Sequence, residues 1–317
     1  MLSRVAENVY WLARYLERVE DTARLINATT NLLLDLPRGL EIGWRHLVWV
    51  TSGEELFLEL FGEDKVNDER AVMKFLVGDS RNTSSILSSI VQARENGRVT
   101  RDIVHSEAWE QVNELYLYAR DEASSALGRR RRFDFLHNVV LRCQTITGVL
   151  AGSSSHDAAY QFMRVGRNLE RADMSSRILD VGAAGLWNND DSGGAAFVTV
   201  RWMSILKSLS AYHAYRQHGY MGVRGSDVVQ FVLQDRLFPR AVAHCVATLK
   251  ECCERLPNPE NPLREIGRVL RRLNELEPEK LGREELHQFI DEDIQRGMAQ
   301  IHDAMTKNYF RLHQAVS

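Results

Sequence analysis

The chain has 317 residues, 44% hydrophobic and 26% charged, the make-up of an ordinary globular protein with ample apolar material for a core. Forty basic side chains stand against forty-three acidic ones, and a net charge of −3 argues against a protein built to grip nucleic acid by its phosphates. There is no run of about 18 apolar residues, which excludes a membrane-spanning helix.

The first segment places Leu2, Val5, Val9, Leu12, Leu16, Val19, Ala23 and Ile26 at steps of three and four, one face of a helix. Ser3 can cap its start and Pro37-Arg38-Gly39 stops it. The opposite side carries Glu7, Tyr10, Trp11, Arg14, Glu17, Arg18 and Asp21. After a break over residues 38–43, Trp109, Val112, Tyr116, Ala119 and Ala123 repeat the helical period. Arg129-Arg130-Arg131-Arg132 reads as a solvated helix junction. Gly152-Ser153-Ser154-Ser155-His156-Asp157 reads as a linker and cap; triads assemble in space, and no Gly-x-Ser-x-Gly elbow is present.

The next helix carries Phe162, Val165, Leu169 and Ala172 on one side, and Arg164, Arg167, Glu170 and Arg171 on the other. Residues 185–194, rich in Asn, Asp and Gly, form a second break. Trp202, Ile205, Leu209 and His213 recur at helical spacing. The glycines of Gly219-Tyr220-Met221-Gly222-Val223-Arg224-Gly225 follow no strand and precede no Lys-Ser/Thr, so they read as an interhelical loop leading to Ser226 as a cap. Pro257, Pro259 and Pro262 mark a further break, and Ile294, Met298, Ile301 and Met305 line a last helix. Glu284-x-x-His287 has the spacing of helical di-iron sites but no second copy. Asp102 with His105, and Asp134 with His137, are imperfect echoes, so no metal is expected. No strand-like alternation persists, and the expected fold is an all-α, multi-helix bundle.

Cys143, Cys245, Cys252 and Cys253 form no CxxC, and Met1-Leu2-Ser3-Arg4-Val5-Ala6-Glu7 lacks the layout of a secretion signal. A reduced, cytoplasmic chain is the expectation.

Two segments repeat. Arg14-Tyr15-Leu16-Glu17-Arg18-Val19-Glu20 resembles Arg167-Asn168-Leu169-Glu170-Arg171-Ala172-Asp173 at an offset of 153, with Arg14 matching Arg167. Phe75-Leu76-Val77-Gly78-Asp79 resembles Phe231-Val232-Leu233-Gln234-Asp235 at an offset of 156. Two matches in one order imply a duplicated helical unit, with halves of about 1–152 and 153–317, a joint near 151–156, and one body with a pseudo-two-fold axis. Each copy presents two arginines and a glutamate from one helical face. If those faces meet, four arginines converge with two carboxylates, a constellation suited to bidentate grip of an anion. Two structural readings stand beside it. Glu20 with Arg24, and Asp173 with Arg177, are i,i+4 pairs that stabilise a helix. The remainder could be a buried network that fixes how the halves dock.

The run Met1-Leu2-Ser3-Arg4-Val5-Ala6-Glu7-Asn8-Val9-Tyr10-Trp11-Leu12-Ala13-Arg14-Tyr15-Leu16-Glu17-Arg18 resembles the opening of the bacterial alpha-E family, all-helical proteins named for a Glu-Arg motif. Phe75 to Asp79, Ala93-Arg94-Glu95-Asn96, Trp109-Glu110-Gln111-Val112-Asn113 and Phe238-Pro239-Arg240 extend the likeness along the chain; Ala13 and Ala241 depart from it. The resemblance implies work beside a circularly permuted ATP-grasp ligase, with transglutaminase-like and proteasome-like peptidases as further partners and a peptide or amino acid as substrate. It implies amide-bond formation, with ATP and magnesium entering only through the ligase and no intrinsic cofactor. Under the resemblance Glu17-Arg18 and Glu170-Arg171 are the motif residues; with the helical faces read above, Glu17 and Glu170 are the catalytic candidates, Arg14, Arg18, Arg167 and Arg171 the anion-binding ones, and Glu7, Tyr10 and Trp11 their support. A stand-alone transferase or hydrolase using a glutamate, and a non-catalytic scaffold, remain the alternatives.

Overall fold

The computed structural model describes residues 3–35, 43–184, 194–220 and 222–310. Met1, Leu2, the Pro37-Arg38-Gly39 stop, nearly all of the 38–43 and 185–194 breaks, and Met221 lie outside the described residues. The described helices are α1 (Ser3–Asp35), α2 (Arg45–Val50), α3 (Glu54–Phe61), α4 (Glu69–Val77), α5 (Ile86–Val99), α6 (Ser106–Glu122), α7 (Arg129–Ser153) and α8 (Ala158–Ala183). They continue with α9 (Gly194–Ser208), α10 (Tyr212–Gln217), α11 (Gly225–Gln234), α12 (Val242–Cys253), α13 (Glu260–Glu275), α14 (Arg283–Phe289) and α15 (Arg296–Met305). π-helical turns follow α14 (Ile290–Gln295) and α15 (Thr306–Phe310). Among the described residues there is no strand, so the protein is all-α. No described helix is long and apolar enough to cross a membrane.

The long helices α1 and α8 lie side by side at the centre and run parallel, because Tyr10 meets Gly166, Arg14 meets Glu170, and Leu25 and Ile178 share one cleft. A Cβ on Gly166 would sit 2.2 Å from the Tyr10 carbonyl oxygen, so only glycine lets the two backbones approach this closely. The rest of α1 is covered by α5, α7, α9 and the 306–310 turn, while α12 covers the outer side of α8. The expected apolar row of α1 is buried at Val9, Leu12, Leu16, Val19, Ala23 and Ile26. Tyr10, Glu17 and Asp21, from the other side, are buried as well, and so is Glu20 at the edge of the apolar row. A helix enclosed all round is normally apolar, so its charges must find partners inside.

Local chemistry starts several helices. Asp68 caps α4 through Ala71 N–H, Ser85 caps α5 through Ser88 N–H, and Asp157 caps α8 through Tyr160 N–H. The matched segments end alike: Asp79 closes on the N–H of Arg81, and Asp235 on that of Leu237.

Three local expectations change. The period through Trp202 and Ile205 does not run on to His213: α9 ends at Ser208, Ser210 takes a left-handed φ of 53°, and α10 starts afresh at Tyr212. Ser226 is not a cap, because Arg224 holds that place and Ser226 lies in the first turn of α11. The Arg129 to Arg132 run is not wholly solvated. Arg132 is buried, donating to the carbonyls of Ala126 and Leu127 and to Glu69, because the first turn of α7 packs its i,i+3 side against α4 and the turn before it.

Candidate functional site

The two Glu-Arg steps meet across the α1–α8 contact, and their pairing is reciprocal. Arg171 grips Glu17 with both Nε (2.6 Å) and Nη2 (2.9 Å). Arg18 donates Nε to Glu170 at 2.5 Å, and Arg14 donates Nε to the other oxygen of Glu170 at 2.6 Å. Each helix's glutamate is thus held by the other helix's arginine. Both carboxylates are almost fully buried, so these are charge-assisted bonds in a low-dielectric setting.

Sequence spacing does not bring in Arg240. It comes from the segment between α11 and α12, is itself buried, and reaches Glu17 at 3.1 Å, Glu20 at 2.7 Å and Asp21. Its one visible signal is Phe238-Pro239-Arg240, which recurs in the family likeness but has no helical spacing to α1. Glu20 also takes Arg24, the expected i,i+4 partner, and Arg24 extends to Ser210. Asp173 and Arg177 form the other expected pair.

The aromatic neighbours belong to the same assembly. Tyr10 is fully buried, and its hydroxyl lies 2.8 Å from His302 Nδ1 on α15 and 3.3 Å from Arg14 Nη1. The Arg14 guanidinium sits 4.9 Å from the Trp11 ring, and that of Arg18 sits 5.5 Å from Tyr15. Phe310 packs on Tyr10 from the π-helical turn after α15. Glu7 is half-buried and its side chain makes no hydrogen bond or ion pair with another described residue.

The protonation states follow from this geometry. Burial alone would raise the Glu17 carboxyl, but Arg171 and then Arg240 overcome it and hold it at about 2. Glu170, also buried, is held down by Arg14 and Arg18. Asp21 goes the other way. Burial outweighs the attraction of Arg240, and the Glu17 charge adds to it, lifting the carboxyl to about 8. Three carboxylates share Arg240, yet Glu17 and Glu20 have arginines of their own and Asp21 does not. Burial also lifts the Tyr10 hydroxyl to about 12, and burial with Arg14 lowers His302. Glutamates this acidic and this fully bonded carry the charge state of ion-pair partners. A general base poised near neutral pH needs the opposite shift.

Arg167, which aligns with Arg14 in the sequence match, has no such carboxylate bond. Its Nε is buried and finds no acceptor among the described residues, and its pKa is lowered by burial and by Arg171. It lines a small, partly open space of 30 Å3 with Glu17, Glu20, Tyr160 and Arg164, room for a water or one ligand oxygen. Six arginines (Arg14, Arg18, Arg24, Arg167, Arg171, Arg240) therefore face four carboxylates (Glu17, Glu20, Asp21, Glu170), a local surplus of positive charge.

The remaining candidate motifs stay apart from this network. His287 of the Glu284-x-x-His287 pattern binds Asp180, and no group of three or more potential metal ligands occurs among the described residues. All four cysteines are free and buried.

The profile of the Alpha-E family, described as "a predicted alpha-helical domain with a conserved ER motif", matches residues 1–310. No curated protein matches the chain, and no solved structure does. The match takes in both Glu-Arg steps and nearly the whole sequence, and the chain belongs to the Alpha-E family.

Proposed function

We propose that this protein is a helical subunit acting with an ATP-grasp ligase in peptide or amide-bond formation, and that its arginine surplus holds an anionic group, a substrate carboxylate or an acyl-phosphate. Arg167 carries the anion-binding part of this reading. It is a largely buried cation whose Nε lacks an acceptor, in a network already rich in arginine, and an anionic oxygen would complete it. The ligase partnership rests on the family resemblance. In this reading Glu17 and Glu170 fix the charge and position of the arginines and do not move protons.

The test is mass spectrometry on ATP reactions containing this protein, its ATP-grasp neighbour, or both, with pooled amino acids and peptides. A new amide product is expected only with both proteins, and Arg167→Ala should abolish it while the chain keeps its fold. Product formed by the ligase alone, or unaffected by Arg167→Ala, would refute the proposal.

The scaffold reading is favoured by one observation, the reciprocal pairing of Glu17 with Arg171 and Glu170 with Arg18, in which both carboxylates are almost fully buried. Under it, Glu170→Gln lowers the melting temperature and leaves product formation by the folded pair unchanged.

A further inference from the structure

The C-terminal halves of α1 and α8 border a second feature, a cleft of about 1240 Å3 enclosed with α2, α9 and α14. Along α8, Ile178 on its floor lies eight residues from Glu170, roughly 12 Å, while on α1 Leu25 follows directly on Arg24, so the cleft borders the outer end of the Glu-Arg network. Its volume exceeds the roughly 300–1,000 Å3 of common small-ligand pockets and suits a short peptide.

Two kinds of surface meet in it. Leu25, Ile178, Ile205 and Leu286 supply an apolar floor. On α2, Arg45 and Trp49 stand one turn apart, with the guanidinium stacked 4.3 Å from the indole ring. The Nε–H of Arg45 and the Nε1–H of Trp49 are both buried, and neither has an acceptor among the described residues. Two idle donors side by side in a cleft wall are costly unless something else accepts from them. Of the acids nearby, Glu63 and Glu54 lie 3.1 and 3.8 Å from Arg45 Nη2, Asp180 takes His287 at 2.9 Å, and Glu284 stands exposed at the cleft with no ion pair among the described residues. Arg201 and Arg283 add positive charge to the other walls.

We infer that this cleft binds the free carboxyl terminus of a peptide whose last side chain is apolar. The carboxylate accepts from Arg45 and Trp49, and the side chain lies on the Leu25–Ile178–Ile205–Leu286 floor. A neutral amide offers one acceptor oxygen and no charge, so it satisfies the pair less well.

The experiment is calorimetric titration of this chain alone with N-acetyl-Ala-Ala-Phe and with its carboxamide. No ligase is needed, so a failure here leaves the amide-ligation proposal standing, and the converse holds too. Saturable binding of the acid is expected, with the carboxamide at least tenfold weaker. Trp49→Phe should weaken the acid several-fold and the carboxamide by less. Ser204→Trp, which fills the cleft from α9, should abolish both. Equal binding of acid and carboxamide, no binding of the acid at millimolar concentration, or unchanged binding by Ser204→Trp would overturn the inference. If Ser204→Trp does not fold, the comparison of acid with carboxamide on the unaltered chain decides alone.

Discussion

Asp21→Asn is expected to flatten the stability of this protein between about pH 6.5 and 8. The folded state holds the Asp21 carboxyl at about 8, against an ordinary value of 3.8. Across that interval the folded chain keeps a proton that the unfolded chain has already lost. The unfolded state therefore binds fewer protons, and stability falls as pH rises, by about 1.4 kcal/mol per unit while the proton is fully retained. Allowing for half-titration near pH 8, the loss over the interval is about 1.5–2 kcal/mol. His46 contributes with the opposite sign. Burial holds it at about 4, so its effect is to raise stability with pH, and that effect is largely spent above its ordinary 6.5. Comparing the slope of the wild type with that of Asp21→Asn cancels this and every other shared group. The asparagine Oδ1 still accepts from Arg240, so packing and one hydrogen bond persist. The assay is urea unfolding at four pH values across the interval. Identical slopes in both proteins, with a uniform loss of stability in Asp21→Asn, would show that Asp21 is an ionised partner of Arg240 and that the reasoning is wrong.

Gly166→Ala places a methyl group 2.2 Å from a backbone oxygen that no rotamer change can move; forcing α1 and α8 apart should cost about 1–3 kcal/mol, read as a lower melting temperature. An unchanged melting point would show that the helices have slack at this crossing. Glu170→Gln leaves Arg14 and Arg18 without their counter-charge, and losing one side of so buried a pairing should cost on the order of 3–5 kcal/mol in chemical unfolding at pH 7.

The chain announces its helices and its Glu-Arg steps because both are local signals. A period of 3.6 and an Arg-x-x-Glu-Arg spacing are visible in a dozen residues, and α1, α6, α8 and α15 follow them. What the spacing cannot show is which way the charged side faces. A helix buried on both sides, with ion pairs in place of apolar residues, has the same amphipathic pattern as one half in water. Arg240 was invisible for a related reason: it reaches α1 from a loop, and no periodicity links a loop residue to a helix 219 positions earlier. Arg132 looks like any member of an arginine run until α4 and the preceding turn are placed around it. The break at Ser210 turns on one left-handed residue that carries no glycine to mark it.

The distance in sequence between Arg240 and its acidic partners also sets an order of events during synthesis. At roughly 5–20 residues per second, about 10–45 s pass between the emergence of Glu20 and Asp21 and that of Arg240. Arg171, the cation that grips both oxygens of Glu17, arrives only partway through that interval. Until then, enclosing α1 would strand carboxylates away from water without their counter-ions, which costs several kcal/mol each. The amino-terminal stretch is therefore expected to stay hydrated and loosely ordered on the ribosome, with its central helix walled in last, in a high-contact-order closure that waits for the far end of the chain.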